Sequence, residues 1–148
     1  MVPEQLVVDG YNVVHAWPDL RGLLSESLEL ARERLVERLA TLAHLTGVEV
    51  TVVFDAHRRR EGRQHEEQVG GVRVVFTGRG RSADQVIERM AYEAAGRREP
   101  LVVATSDSFH RAMLRGMGAA VVDTAELLRR VGAAEAELER RLRAYSRP

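Results

Sequence analysis

Five short apolar runs, separated by stretches of helical period, constrain this chain more than anything else in it. Leu6 to Asp9, Val48 to Phe54, Val72 to Phe76, Leu101 to Thr105 and Ala119 to Val122 are rich in β-branched residues and too short for buried helices. Each is read as a strand. Between about Ser25 and Thr46, Leu28, Ala31, Leu35, Leu39, Leu42 and Leu45 recur at helical spacing, with Ser25 or Ser27 to cap the start and Gly47 to stop the end. Ser82-Ala83-Asp84-Gln85 is a capping box opening a helix to about Ala95, which buries Val86, Ile87, Met90, Ala91 and Ala94. A helix is expected from about Asp107 to Met117. After a second box-like stretch at Asp123–Glu126, a last helix is expected from about Ala133 to Tyr145, with Leu138, Leu142 and Tyr145 on one side.

Strands alternating with helices predict an α/β fold, a mostly parallel five-stranded sheet with helices on both faces. Right-handed crossovers give the strand order 3-2-1-4-5, with the switch point between strands one and four. Tyr11, Asn12, His15 and Trp17 fall in a turn after strand one, before Pro18. Ala56 to Gly71 reads as a long polar connection, more often functional or mobile than inert. No repeat or linker interrupts the chain, so residues 1–148 are expected to form one domain, with C-terminal helices at about 124–146.

Residue usage removes whole classes of chemistry. All 22 basic residues are Arg, and there is no Cys. Without Lys there is no P-loop, Schiff base or pyridoxal attachment, and without Cys no disulfide, thiol nucleophile or thiolate metal site. Formal net charge is zero, so a polyanion would have to be met by local patches. No signal-like start or membrane-length apolar run is present, which predicts a cytoplasmic protein.

The predicted topology gathers acids. Asp9 and Asp107 follow strands one and four and are expected side by side at the switch point, roughly 5 Å apart. Asp84, at the start of its helix, comes over the same edge, and Asn12 turns its amide into the crevice. Asp55 follows strand two. Asp107 could instead simply cap its helix, and Asp84 could owe its place to the helix dipole. Carboxylates packed together repel unless a dication sits among them, and oxygen donors without Cys select Mg²⁺ or Mn²⁺. Such a centre suits phosphodiester hydrolysis. The candidate metal ligands are Asp9, Asp84 and Asp107, with Asn12 in the catalytic set and Asp55, Glu88 and Ser106 as supporting residues. Gly10 is expected to let a substrate approach the backbone.

Arg58, Arg59, Arg60 and Arg63 follow strand two, while Arg79 and Arg81 follow strand three. They form a candidate positive rim for an RNA backbone. Tyr11 and Trp17 are candidate stacking platforms for single-stranded bases. Phe109 and the Met residues are read as packing. None of the five His residues receives a role.

These blocks together resemble a known family, the bacterial YacP-like NYN-domain proteins within the PIN-like nuclease superfamily. The resemblance runs through Val8-Asp9-Gly10-Tyr11-Asn12-Val13, His15-Ala16-Trp17-Pro18, Val53-Phe54-Asp55-Ala56, Phe76-Thr77, Ser82 to Glu88 and Ala104-Thr105-Ser106-Asp107, in family order. It implies a PIN-like α/β fold, a divalent-metal endoribonuclease and a cytoplasmic RNA substrate, with the ribosome or its bound mRNA as a candidate partner. Carried over by position, Asp9, Asn12, Asp84 and Asp107 resemble the acidic centre, and Asp55 a contributor. A receiver domain is disfavoured because it needs a Lys. A haloacid-dehalogenase-like phosphatase needs an acid where Tyr11 stands. A non-catalytic RNA- or ribosome-binding module of the same fold is the main alternative, and a PIN-type toxin a further one.

Overall fold

Pleating sets the architecture. The computed structural model describes residues 3–56, 63–78 and 80–146. In order they form β1 (Gln5–Asp9), α1 (Gly10–Ala16), α2 (Pro18–Leu24), α3 (Leu28–Thr46), β2 (Glu49–Phe54), β3 (His65–Val69), β4 (Val72–Phe76), α4 (Ala83–Gly96), β5 (Leu101–Ala104), α5 (Ser108–Gly116), β6 (Ala120–Val122) and α6 (Thr124–Tyr145). Side chains alternate across a strand, so each buried strand feeds two cores. Leu6, Val8, Val50, Val52, Phe54 and Val74 join the core under α1, α2, α3 and α6. Val7, Val53, Val75 and Val103 join the core under α4 and α5.

The six strands run β3-β4-β2-β1-β5-β6. All neighbours are parallel except β3 and β4. The five expected strands thus take the expected order, and a sixth is added at the edge. β3 (His-Glu-Glu-Gln-Val) comes from the stretch read as a long polar connection. Gly70 and Gly71, at φ 56° and 84°, turn it tightly into β4, and a two-residue Gly-Gly loop is a hairpin signal. Every β3 residue is exposed, so the strand carries neither an apolar run nor a buried alternation.

Two further expectations are corrected. The supposed turn after β1 is two seven-residue helices, with Pro18 starting the second, where its missing N–H costs nothing. The C-terminus is one helix from Thr124 to Tyr145, capped by Asp123 and continuous through Gly132. Gly10 is also required by packing: a Cβ there would lie 2.4 Å from the buried Phe54 ring and 3.0 Å from the Val53 carbonyl oxygen.

The other caps follow the sequence. Ser27 accepts from the Leu30 N–H, and Gly47 ends α3 in the left-handed conformation. Ser82 and Gln85 complete a reciprocal capping box on α4. Arg38 ties three helices together: it bonds to Asp19 of α2 and Glu135 of α6, and its guanidinium lies 4.9 Å from the centre of the Trp17 ring. Among the described residues no helix is long and apolar enough to cross a membrane.

Candidate active site at the carboxyl edge of the sheet

Strand parity decides which acids meet. Asp9 ends β1 in phase with Val7, and Asp55 follows β2 in phase with Val53, so both belong to the α4 side of the sheet. There Asp55 Oδ2 accepts from the Ala83 N–H at 3.3 Å, anchoring the first turn of α4, which carries Asp84. Burial pushes the Asp9 carboxyl up to about 6, with the Asp84 and Asp55 carboxylates adding to the rise. The Asn12 backbone amide and His110 oppose it. A largely buried carboxyl beside two others is the unfavourable arrangement a cation relieves.

The remaining candidates fall in two groups. Asn12 Oδ1 accepts from the Ser106 N–H at 2.8 Å, joining α1 to the β5–α5 loop. That loop is pinned further by Ser106 Oγ, which accepts from the Thr124 N–H at 3.1 Å and lies 2.9 Å from Thr124 Oγ1. The Asp107 N–H reaches Thr105 Oγ1 at 3.3 Å. Asp107 itself caps α5, accepting from the His110 N–H at 3.0 Å. Strand register does not set Asp107 level with Asp9. Register pairs Val8 with Ala104, so Thr105 follows beside Asp9, and Asp107 is exposed two residues farther on. Among the described residues no three His, Asp or Glu side chains close on one point as a complete metal shell would.

The donors nevertheless suit a hard ion. Mg²⁺ commonly takes one or two carboxylates and keeps several waters, and Asp9 and Asp84 are such a pair.

A sequence model of the YacP-like NYN domain matches residues 6–147. The chain belongs to that family. It is 39% identical over 138 residues to YacP of Bacillus subtilis, covering 93% of this chain and 81% of the relative. Two crystal structures of Rae1 (YacP) from Bacillus subtilis share the fold, each with a TM-score of 0.82. One, a tryptophan-to-leucine variant, is 38% identical, covering 97% of this chain and 84% of its own. The other is 36% identical, covering 99% and 82%. The YacP-like NYN family is nuclease-like, which supports a nuclease-type function for the α/β domain described here.

Within this YacP-like domain the aromatic expectations change most. Trp17 is 1% exposed, and its Nε1 donates to the Thr124 carbonyl at 2.8 Å. It is core, not a stacking platform. Tyr11 is half-buried against Phe54, with ring centres 5.2 Å apart, and its hydroxyl accepts from Arg32 at 3.1 Å. Phe109, read as packing, is instead 76% exposed, and Met113 is exposed too. Arg63 and Arg81 are exposed as a rim requires, while Arg58, Arg59, Arg60 and Arg79 lie outside the described residues.

The residue that sequence reasoning missed is His110. It projects from the first turn of α5 and is 2% exposed. Its Nδ1 lies 3.5 Å from Asp84 Oδ1 and its Nε2 3.5 Å from Glu88 Oε1. The available signal was amphipathic: His110 and Leu114, four apart, form the buried face of α5.

Proposed function

We propose that this chain is an Mg²⁺- or Mn²⁺-dependent endoribonuclease acting on single-stranded RNA. The observation that carries the reading is Asp9, a largely buried carboxyl at the sheet's carboxyl edge, lifted to about 6 by burial and by the neighbouring Asp84 carboxylate. Acids perturbed in this way cluster at functional sites. Asp9 and Asp84 would hold the ion. When bound, it supplies a polarised phosphoryl oxygen and a water acidic enough to attack at neutral pH.

The chain's own residues do the positioning. Asp55 fixes the first turn of α4, and hence Asp84, against the end of β2. Asn12 and Thr124 hold the β5–α5 loop in place, so that Asp107 stands at the rim on a fixed backbone. Arg63 and Arg81 offer exposed guanidinium groups to backbone phosphates, and Arg58, Arg59, Arg60 and Arg79 extend that set in sequence.

The test incubates a structured mRNA, free or ribosome-bound, with wild type or Asp9→Asn in Mn²⁺ or EDTA. Cleavage by wild type in Mn²⁺, lost in the variant and in EDTA, is expected. Preference for the ribosome-bound form would make the ribosome a partner. Equal cutting in every lane would indicate contamination. Absence of cutting by wild type under all conditions would replace the enzyme with a non-catalytic RNA-binding module.

A further inference from the structure

Among the described residues, His110 has both of its polar side-chain atoms buried without a hydrogen-bond partner. Its ring is almost wholly inaccessible, and neither nitrogen makes a hydrogen bond of good geometry. Both stand 3.5 Å from carboxylate oxygens, Nδ1 towards Asp84 and Nε2 towards Glu88. Asp84 and Glu88 are four residues apart on α4, so one ring inserted from α5 spans consecutive turns of the neighbouring helix.

Packing alone does not account for the residue. Leu114 on α5 and Ala83 and Ile87 on α4 belong to the apolar core between sheet and helices, and an aromatic hydrocarbon in place of His110 would bury no polar atoms beside it. What a hydrocarbon cannot do is face two carboxylates at once. The Asp84 side chain is half-exposed, at 50%, and a side chain that free must lose rotamer entropy before it can hold an ion. The Asp84 charge also acts on Asp9, so the two carboxylates lie within electrostatic reach of each other.

We propose that His110 is a positioning residue of the site: wedged between Asp84 and Glu88, it fixes the Asp84 carboxylate on the Asp9 side and engages Glu88 through its other nitrogen. The proposal rests on the reading of Asp9 and Asp84 as the metal-holding pair. In this role His110 is not itself a ligand: it orients Asp84, as outer partners of metal ligands do, and its charge also acts on Asp9.

The experiment measures Mn²⁺ binding to the purified full chain by electron paramagnetic resonance of free Mn²⁺. Wild type is compared with Asp9→Asn, His110→Phe, His110→Asn and Glu88→Gln, with thermal melting of each in EDTA. His110→Phe should melt no lower than wild type yet bind Mn²⁺ about tenfold more weakly or worse. His110→Asn, which keeps a donor, should recover part of the affinity. Cleavage by His110→Asn should return towards wild type as Mn²⁺ is raised, moving the metal dependence rather than the rate at saturation. Glu88→Gln should weaken Mn²⁺ binding less than His110→Phe. If His110→Phe fails to fold, His110→Asn alone decides, by the same shift in metal dependence. Wild-type Mn²⁺ affinity in the folded His110 variants overturns the positioning role and leaves the nuclease reading standing. Wild-type protein that binds no Mn²⁺ sensitive to Asp9→Asn overturns both.

Discussion

Replacing Asp9 by Asn should make the metal-free protein more stable while removing its proposed activity. The carboxyl is raised from 3.8 to about 6 on folding, chiefly by burial and then by Asp84. That shift corresponds to about 3 kcal/mol between its ionised and protonated forms. The native state therefore holds a proton that the unfolded chain has released between pH 3.8 and about 6. Stability attached to this group is present below 3.8, declines as pH rises through that window, and is gone above about 6. Asparagine carries no charge at any of these values. It forfeits only the ionised partner of the Asn12 backbone amide, worth about 1 kcal/mol. In EDTA at pH 7 the variant should be more stable by about 2 kcal/mol, a rise of several degrees in Tm at roughly 2–4 °C per kcal/mol. Urea unfolding followed by circular dichroism at pH 4 and pH 7 measures the gap, which should shrink towards zero at the lower value. Adding Mg²⁺ should stabilise wild type by mass action and leave the variant unmoved. A variant no more stable than wild type at pH 7, or a gap of the same size at pH 4, would refute the claim that ionised Asp9 is strained by its surroundings.

Three other perturbations test the frame around the site. Gly10→Ala drives a methyl group into the Phe54 ring and against the Val53 carbonyl; denaturant unfolding should show a loss of about 1–3 kcal/mol, and wild-type stability would mean that β1 and β2 can separate freely. Trp17→Phe removes the indole donor from the Thr124 carbonyl, which should cost about 1–3 kcal/mol because the acceptor stays buried, as read from the melting midpoint. Asn12→Ala frees the Ser106 N–H; hydrogen exchange at that amide should accelerate, and cleavage should fall at unchanged RNA affinity. Unaltered exchange would show that the loop is held without Asn12.

Most of the sheet was legible because burial on both faces writes a continuous apolar run into each inner strand. β3 escaped because it is exposed along its whole length and exists through pairing with β4; only Gly70-Gly71 announced it. α1 and α2 escaped because seven residues are two turns, too few for a periodic signal, and Pro18 reads equally as a break or a start. The acids at strand ends were visible, but their grouping depends on pleat parity and register. These bring Asp55 and Asp84 towards Asp9 and put Asp107 two residues past Thr105. Aromatic roles were the least legible. Trp17 and Phe109 exchange places between core and surface, since nothing local distinguishes a ring destined for either. His110 was silent for a similar reason: its partners are on another helix, and its meaning comes only from theirs.

The β5–α5 loop is held from a distance. Its pins come from Asn12 near the start of the chain and from Thr124 at the head of α6, whose carbonyl also receives Trp17. A chain growing from its amino end has all six described strands in hand by Val122 and still lacks Thr124, the second of the two residues that fasten this loop. The loop therefore gains its second pin only when α6 docks, and a fragment ending at residue 122 would carry the candidate acids with the β5–α5 loop held by Asn12 alone.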